Sequence, residues 1–336
     1  MDRQFLVADI GGTHIRLALA DENIALRHIK VWKCASFAQP KDALKAYLGE
    51  LGDEDRAAPE RICISVAAPI GSDVTSMTNH HWVLSISALA NLFSMPVTLI
   101  NDFSAQAWCL TRLQTSDVTW LQLPGQPAEA AVEPLSDVSQ WLSGVRFVVG
   151  PGTGFGGSGI TPGHEVLDAE PGHIAFAPLD GVQMDLLRQL WTRHPRVIVE
   201  HLLSGPGLAN IYGALTVIRG IHAGAELTAE EVVAAARSDD AVASESTRLF
   251  TTILGAVCGD IALSVGATGG FFLSGAMLQK FGDLFDRALF LRAFNNKAKF
   301  RGWCESVPVG MLRASYPGLL GCAIYAAQLE TRSPGQ

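Results

Sequence analysis

The sequence has no paired cysteines. Its six (Cys34, Cys63, Cys109, Cys258, Cys304, Cys322) are scattered and form no Cys-x-x-Cys pair. That pattern suits buried free thiols in a reducing compartment better than a disulfide framework or a zinc site. Basic excess is also missing: 25 Lys and Arg against 33 Asp and Glu leave a net charge of −8. This argues against nucleic acid or an anionic membrane as the main partner, since both require basic surface; a local basic patch could still take a phosphorylated ligand. There is no low-complexity tail, and an apolar run begins almost directly after Met1-Asp2-Arg3, leaving no room for a signal peptide. One long apolar run, 249–266, contains Asp260, and a charge at a helix centre in a bilayer costs about 2.5–3.5 kcal/mol. With Gly255, Gly259 and Ser264 suited to close packing, the run is expected to be a buried helix in a cytoplasmic protein.

What is present is a chain of 336 residues, 48% apolar and 17% charged, enough for one large or two medium domains with substantial cores. Its organising stretch is 6–20, LVADIGGTHIRLALA. An apolar run ends in Asp9, then come Gly11, Gly12 and Thr13, then a second apolar run, which together read as a hairpin. Glycines without a Cβ let a polyanion lie against backbone N–H groups, and Thr13 adds a hydroxyl donor. Asp9 at the strand end could hold a hydrated Mg²⁺; an ordinary hairpin with a solvated Asp is the plain alternative.

Further along, 29–32 reads as a strand, 41–51 as a helix, 62–67 as a buried strand and 77–82 as a polar loop before a helix capped by Ser85 or Ser87. A strand over 97–100 delivers Asn101-Asp102 at its carboxyl end, where open α/β sheets tend to place binding residues. A helix is expected over 103–113, with Asp102 either its N-cap or a catalytic group. Residues 122–143 read as loop. FVVGPGTGFGGSGI (147–160) repeats strand, glycine turn with Thr153, and strand, which points to a duplicated fold whose halves face one nucleotide. Glu170 and His173 follow in DAEPGHIAFAP, His173 either structural or a ligand. A helical turn over 197–203 carries Glu200, and Ser204 to Gly207 is expected to break it before a helix over 208–219. Thr228 and Glu231 fit a capping box. A strand over 269–277 ends in Ser274-Gly275, a place for close approach of a base or ribose or simply a strand-to-helix turn. Helices are expected over 278–294 and 318–328.

These pieces, in this order, resemble the bacterial glucokinase family of the hexokinase and actin-like ATPase superfamily. The carriers are ADIGGTHIRLALA (8–20), MTNHHW (77–82), INDF (100–103), GPGTGFG (150–156), EPGH (170–173), EHLLSGPG (200–207) and PGLLG (317–321). The resemblance implies a two-domain α/β actin-like ATPase (ribonuclease H-like) fold with an active-site cleft between a small domain, 1–112 plus 314–336, and a large one, 113–313. It implies ATP-dependent phosphorylation of glucose at the 6-hydroxyl, with ATP and Mg²⁺ as cofactors and a homodimer as the assembly. Asp9, Gly11, Gly12, Thr13, Gly152, Thr153 and Gly154 would hold the ATP phosphates, and Gly275 would lie against the adenosine. Asn101, Glu170, His173 and Glu200 would hold the sugar, with Asp102 as catalytic base. The chain departs from the family pattern at His14, at Pro171, which removes a backbone donor and fixes φ beside Glu170, and at Ala276 after Gly275.

The residue types suit that chemistry. A hexose is covered with hydroxyls that carboxylates and Asn can satisfy, and an unpaired buried partner costs about 1–3 kcal/mol. Phosphoryl transfer requires alignment, charge neutralisation and a carboxylate to accept the hydroxyl proton. The alternatives are a kinase for another hexose, or a sensor that binds sugar or nucleotide without catalysis. A sensor would lack Asp102 or a phosphate turn, or would carry a DNA-binding segment, and no basic helix-turn-helix precedes Leu6.

Overall fold

The computed structural model of the chain describes residues 3–57, 59–78, 80–126, 143–221 and 226–329. The first hairpin is β1 (Gln4–Ile10) and β2 (His14–Asp21), paired from Gln4↔Asp21 to Ile10↔Ile15. β3 (Leu26–Lys33) extends it antiparallel. Helices α1 (Pro40–Glu50) and α2 (Asp53–Ala57) lead to β4 (Pro59–Val66), which lies parallel to β1. The segment 77–82, expected as a polar loop, joins the strands of a small antiparallel pair, β5 (Val74–Ser76) and β6 (Val83–Ser85). Trp82 there is buried and its indole N–H donates to the Ala38 carbonyl at 3.0 Å; Asn79 lies outside the described residues. Ser85 caps α3 (Ile86–Phe93), accepting from the Ala88 N–H at 3.1 Å. β7 (Val97–Asn101) lies parallel to β4 and runs into α4 (Asp102–Cys109).

β8 (Val118–Gln122) takes up the start of the expected loop, and 127–142 lie outside the described residues. The second hairpin is β9 (Arg146–Pro151) and β10 (Phe155–Ile160), extended by β11 (Val166–Ala169). Helices α5 (Gly181–Trp191), α6 (Gly205–Ile218), α7 (Ala229–Arg237) and α8 (Ala241–Val265) follow. The expected break at Ser204 to Gly207 is instead the start of α6. Ser204 caps it through the Gly207 N–H at 2.9 Å, and a proline in the first turn interrupts no helical bond. The capping box at α7 forms as expected, Glu231 N–H to Thr228 Oγ1 at 3.3 Å and Thr228 N–H to Glu231 Oε2 at 2.8 Å. The long apolar run lies in α8, most of whose apolar window is buried, and Asp260 pairs with Lys297 Nζ at 2.9 Å. β12 (Gly270–Leu273), α9 (Ala276–Phe281), α10 (Arg287–Asn295), α11 (Arg301–Glu305), β13 (Val309–Leu312) and α12 (Pro317–Gln328) complete the chain. The single helix expected over 278–294 is two, because Gly282 at φ +53° turns the backbone left-handed between α9 and α10.

Two sheets carry one strand pattern. The order β3-β2-β1-β4-β7 recurs as β11-β10-β9-β12-β13, with β8 added at the edge. In both, two antiparallel steps precede two parallel ones. The repeat expected from two glycine turns is therefore a repeat of topology. The contacts divide the chain into Met1–Leu113 with Ala314–Gln336, and Gln114–Arg313.

In the first unit the period of two along a strand sorts the side chains by face. Leu6, Ala8 and Ile10 share a core with Leu44, Tyr47 and Leu89 of α1 and α3. Phe5 and Val7 share another with Ala105 of α4 and with Leu319, Cys322, Ala323 and Ala326 of α12. In the second unit one core joins Phe147, Val149 and Phe271 of the sheet to α5, α6, α7, α8 and α10. All six cysteines are free and buried.

Helix α12 approaches α4 so closely that a Cβ on Gly321 would overlap the Ala105 carbonyl oxygen. Gly213 within α6 has no atom within 4 Å of the corresponding point. Gly321→Ala is expected to destabilise by about 2 kcal/mol or more through overpacking. Gly213→Ala should stabilise by about 0.5–1 kcal/mol through helix propensity. Thermal unfolding of the two variants beside the wild type checks both signs.

Candidate active site

In the first unit, register assembles the site at the carboxyl ends of the parallel strands. Ile10, Val66 and Asn101 are level across β1, β4 and β7. Asp9 stands opposite Arg16 on β2 and Ser65 on β4, so all three lie on the α12 face. Asp9 Oδ2 accepts from Arg16 Nη1 at 3.0 Å and Oδ1 from Ser65 Oγ at 2.7 Å. A Cβ on Gly318, in the first turn of α12, would come within 2.7 Å of the Asp9 Cγ. Only a glycine lets the helix start against that carboxylate.

The connection Gly11 to His14 is closed by the Gly11 N–H donating to the His14 carbonyl at 3.0 Å. Its inward carbonyls are taken by Cys34: the thiol to Gly11 O at 3.4 Å and the backbone N–H to Thr13 O at 2.9 Å. Gly12 and Thr13 are exposed. Burial first, and the neighbouring Asp9, push the Cys34 thiol pKa up, partly offset by its backbone hydrogen bond and by Arg16, so it stays a neutral donor.

At the end of β7 the N-cap of α4 is Asn101. Its Oδ1 accepts from the N–H groups of Phe103 at 2.9 Å and Ser104 at 3.2 Å, and its Nδ2 donates to the Ala68 carbonyl at 3.2 Å. Asp102, the candidate cap by sequence, is the first residue of the helix and accepts from the Phe103 N–H at 3.0 Å. The cap falls one residue earlier because Asn101 holds extended geometry, φ −66° and ψ 150°, at the strand end.

In the second unit Gly152, Thr153 and Gly154 join β9 to β10. The Gly152 N–H donates to Gly154 O, and Gly152 O accepts from the Gly205 N–H at the start of α6, both at 2.8 Å. Glu200 lies in a single 3₁₀ turn, Val199–His201, and its Oε2 accepts from the Phe155 N–H at 2.8 Å. A Cβ on Gly154 would strike that carboxylate, and one on Gly172 would strike the Phe155 carbonyl. The Glu200 turn is held by Ser204, whose hydroxyl donates to Glu200 O at 2.8 Å, and by Asn210, whose amide donates to His201 O at 3.0 Å.

Glu170 and His173 are exposed at either end of the turn Pro171–His173, joined by the His173 N–H to Glu170 O at 3.1 Å. Pro171 stands at the first position of that turn, where the N–H has no partner within the helix. It is buried against Gly157 of β10. Its presence therefore anchors the segment. Next to Glu200, His201 stacks on His194 at a centroid distance of 4.0 Å. Burial first, then His194, lower the His201 pKa, and its Nδ1 accepts from the Ile198 N–H at 3.4 Å as only an unprotonated nitrogen can. Gly275 takes φ +106° at the end of β12, where a Cβ would come within 2.6 Å of the Pro151 carbonyl. This brings it beside the second glycine turn.

The structure thus brings together Asp9, Gly11, Gly12 and Thr13 in one unit, and Gly152, Thr153, Gly154, Glu200 and Gly275 in the other. Arg16, Ser65, Gly318 and Cys34 escaped the sequence reading. Arg16 was legible in principle, since hairpin register sets it opposite Asp9. Ser65, Gly318 and Cys34 reach the site through strand order and helix docking, which no local signal carries.

A family model described as Glucokinase matches residues 6–329. A protein named glucokinase from Marinobacter nauticus is 36% identical over 323 residues, 95% of this chain and 95% of that protein. Burkholderia orbicola has a relative named bifunctional protein glk, 34% identical over 98% of this chain and 50% of its own length, so the chain spans about half of that protein. Among solved structures, a glucokinase from an Antarctic psychrotroph superposes with a TM-score of 0.83 at 30% identity, covering 99% of this chain and 100% of that one. With both hairpins, the duplicated sheet order and this match along nearly the whole length, the chain is a member of the glucokinase family and has its actin-like ATPase fold.

Proposed function

We propose that this protein transfers the γ-phosphoryl group of ATP to the 6-hydroxyl of glucose, giving glucose 6-phosphate and ADP. The observation that carries the reading is the pair of glycine turns on equivalent hairpins, each with two carbonyls hydrogen-bonded within the protein, those of Gly11 and Thr13 by Cys34 and those of Gly152 and Gly154 by Gly205 and Gly152. Turns arranged in this way leave backbone donors for a polyphosphate. A Cβ on Gly152 would meet no protein atom within 4 Å, which leaves room for a ligand against the backbone. Gly275 beside Pro151 supplies a flat approach for the adenosine.

Mg²⁺ supplies charge neutralisation on the transferring phosphoryl group when it enters with the nucleotide. It keeps most of its waters and needs few protein ligands. A single strand-end carboxylate fits that requirement, and Asp9 is the residue that would hold it through water. Glu170, His173, Glu200 and Asn101 are the residues proposed to hold the sugar hydroxyls, Asn101 through the remaining N–H of its amide. Asp102 accepts the proton of the 6-hydroxyl as that oxygen attacks phosphorus. Its place as the first residue of α4 keeps it close to the strand end while Asn101 does the capping. A cytoplasmic location and a homodimer belong to the same proposal.

A coupled assay for ADP release with Mg²⁺ and ATP, run against a panel of hexoses, tests this directly. Glucose should be turned over well above the others. Preference for another hexose overturns the substrate, and sugar binding without turnover overturns the enzyme in favour of a sensor. Asp102→Asn should keep glucose affinity and lose about 10²- to 10⁴-fold in kcat, the range of general-base catalysis. Gly154→Ala should lower kcat/KM for glucose by about tenfold or more by displacing Glu200. Combined with Glu200→Ala it should add little, because both act through one carboxylate; steady-state kinetics of the two single variants and the double variant reads this.

A further inference from the structure

Asp9 has a guanidinium partner where the proposed reaction would bring a metal. Its side chain is 16% exposed and that of Arg16 34%. Ser65 holds the other carboxylate oxygen, and the start of α12 at Gly318 closes the remaining side. The Asp9 carboxylate is thus fixed in place while its charge is neutralised by a residue that reaches solvent. Arg16 presents five N–H donors in a planar fork. Among the described residues only Nη1 is bonded, to Asp9. The Arg16 side chain is 34% exposed, and Arg16 lies two positions along β2 from His14, at the end of the Gly11–His14 connection.

We infer that Arg16 is a positioning residue for the nucleotide, a resident counterion that neutralises Asp9 until a metal-bound polyphosphate arrives and then turns its guanidinium to the phosphate. Arg16 acquires this role only if the Gly11–Thr13 turn holds the polyphosphate, as proposed above. The physical reason is charge. A strand-end carboxylate without a cation would repel the polyanion that must lie beside it, and that repulsion is strongest where solvent screens least. With Arg16 in place the Asp9 carboxylate is a paired charge rather than a bare one. A metal held by Asp9 through its water shell would supply the charge neutralisation that Arg16 now gives, and would leave the guanidinium for the phosphates. An arginine suits both partners, since its fork matches carboxylate and phosphate alike.

This predicts how metal dependence changes when Arg16 is lost. Binding of ADP is measured by calorimetry, once with Mg²⁺ and once with EDTA, and the ratio of the two affinities is the readout. In Arg16→Met the metal-free affinity should fall much more than the metal-bound affinity, raising the ratio about tenfold, or about 1.4 kcal/mol. Arg16→Gln serves the same purpose should Arg16→Met not fold. Arg16→Lys keeps the charge and should leave the ratio within about threefold of wild type. Adding Asp9→Asn to Arg16→Met removes the uncompensated carboxylate and should bring the metal-free affinity back up, which a merely structural role for Arg16 would not do. An unchanged ratio in the neutral variants, or no recovery in the double variant, overturns the inference. Thr13→Val separates the two levels. If it weakens ADP binding while Arg16→Met leaves the ratio alone, the counterion role fails and the turn stands. If neither variant alters ADP binding, the assignment of the turn to the polyphosphate fails as well.

Discussion

A strand end can offer its backbone N–H groups to a ligand only if its carbonyls are satisfied elsewhere, because buried main-chain polar groups must be paired. Both glycine turns of this protein meet that constraint, by different means. In the first, Cys34 takes the carbonyls of Gly11 and Thr13 with its thiol and its N–H. In the second, Gly205 at the start of α6 takes that of Gly152, while Gly152 closes onto Gly154. One turn is backed by the segment after β3 and the other by a helix N-terminus. The repeat of strand order thus survives while the supporting contacts have diverged.

Each unit then fixes one carboxylate at its turn. Asp9 is held by Arg16 and Ser65 under the start of α12, and Glu200 by the Phe155 N–H under Gly154 and Gly172. Both depend on missing Cβ atoms, since any side chain at 154, 172 or 318 would displace the acid or the backbone beside it. That is a packing requirement on sequence. It explains why glycines occur where neither turn geometry nor positive φ calls for them. The same logic reaches beyond the site to Gly321, where α12 lies on α4 and shares a core with Phe5 and Val7 of the strand that carries Asp9.

The helix ends show how closely local chemistry can be read and where it slips. The capping box Thr228 to Glu231 is decided within four residues and was legible, while the cap of α3, open between Ser85 and Ser87 by sequence, falls at Ser85. Asn101 and Asp102 are both good capping residues, and local preference cannot choose between them. The choice follows from how far β7 pairs with β4, which holds Asn101 extended. Likewise Ser204-Gly205-Pro206-Gly207 reads as a breaker by composition. It becomes a helix start because its Ser204 hydroxyl and Gly205 N–H find partners on Glu200 and Gly152.

By itself the sequence determined the two hairpins, the apolar faces of the strands, most helices and the residue types at the strand ends. These follow from periodicity, glycine placement and capping chemistry, all acting over a few residues. The family resemblance followed from the order of the motifs along the chain. Tertiary structure alone decided which side chains surround each carboxylate. Ser65 lies 56 residues from Asp9 and Glu200 lies 45 from Phe155, and only parallel pairing and helix docking bring such positions within hydrogen-bonding distance. It also decided the role of Pro171, which by sequence was a lost donor and in the fold is a buried anchor at a position where that donor has no partner to lose.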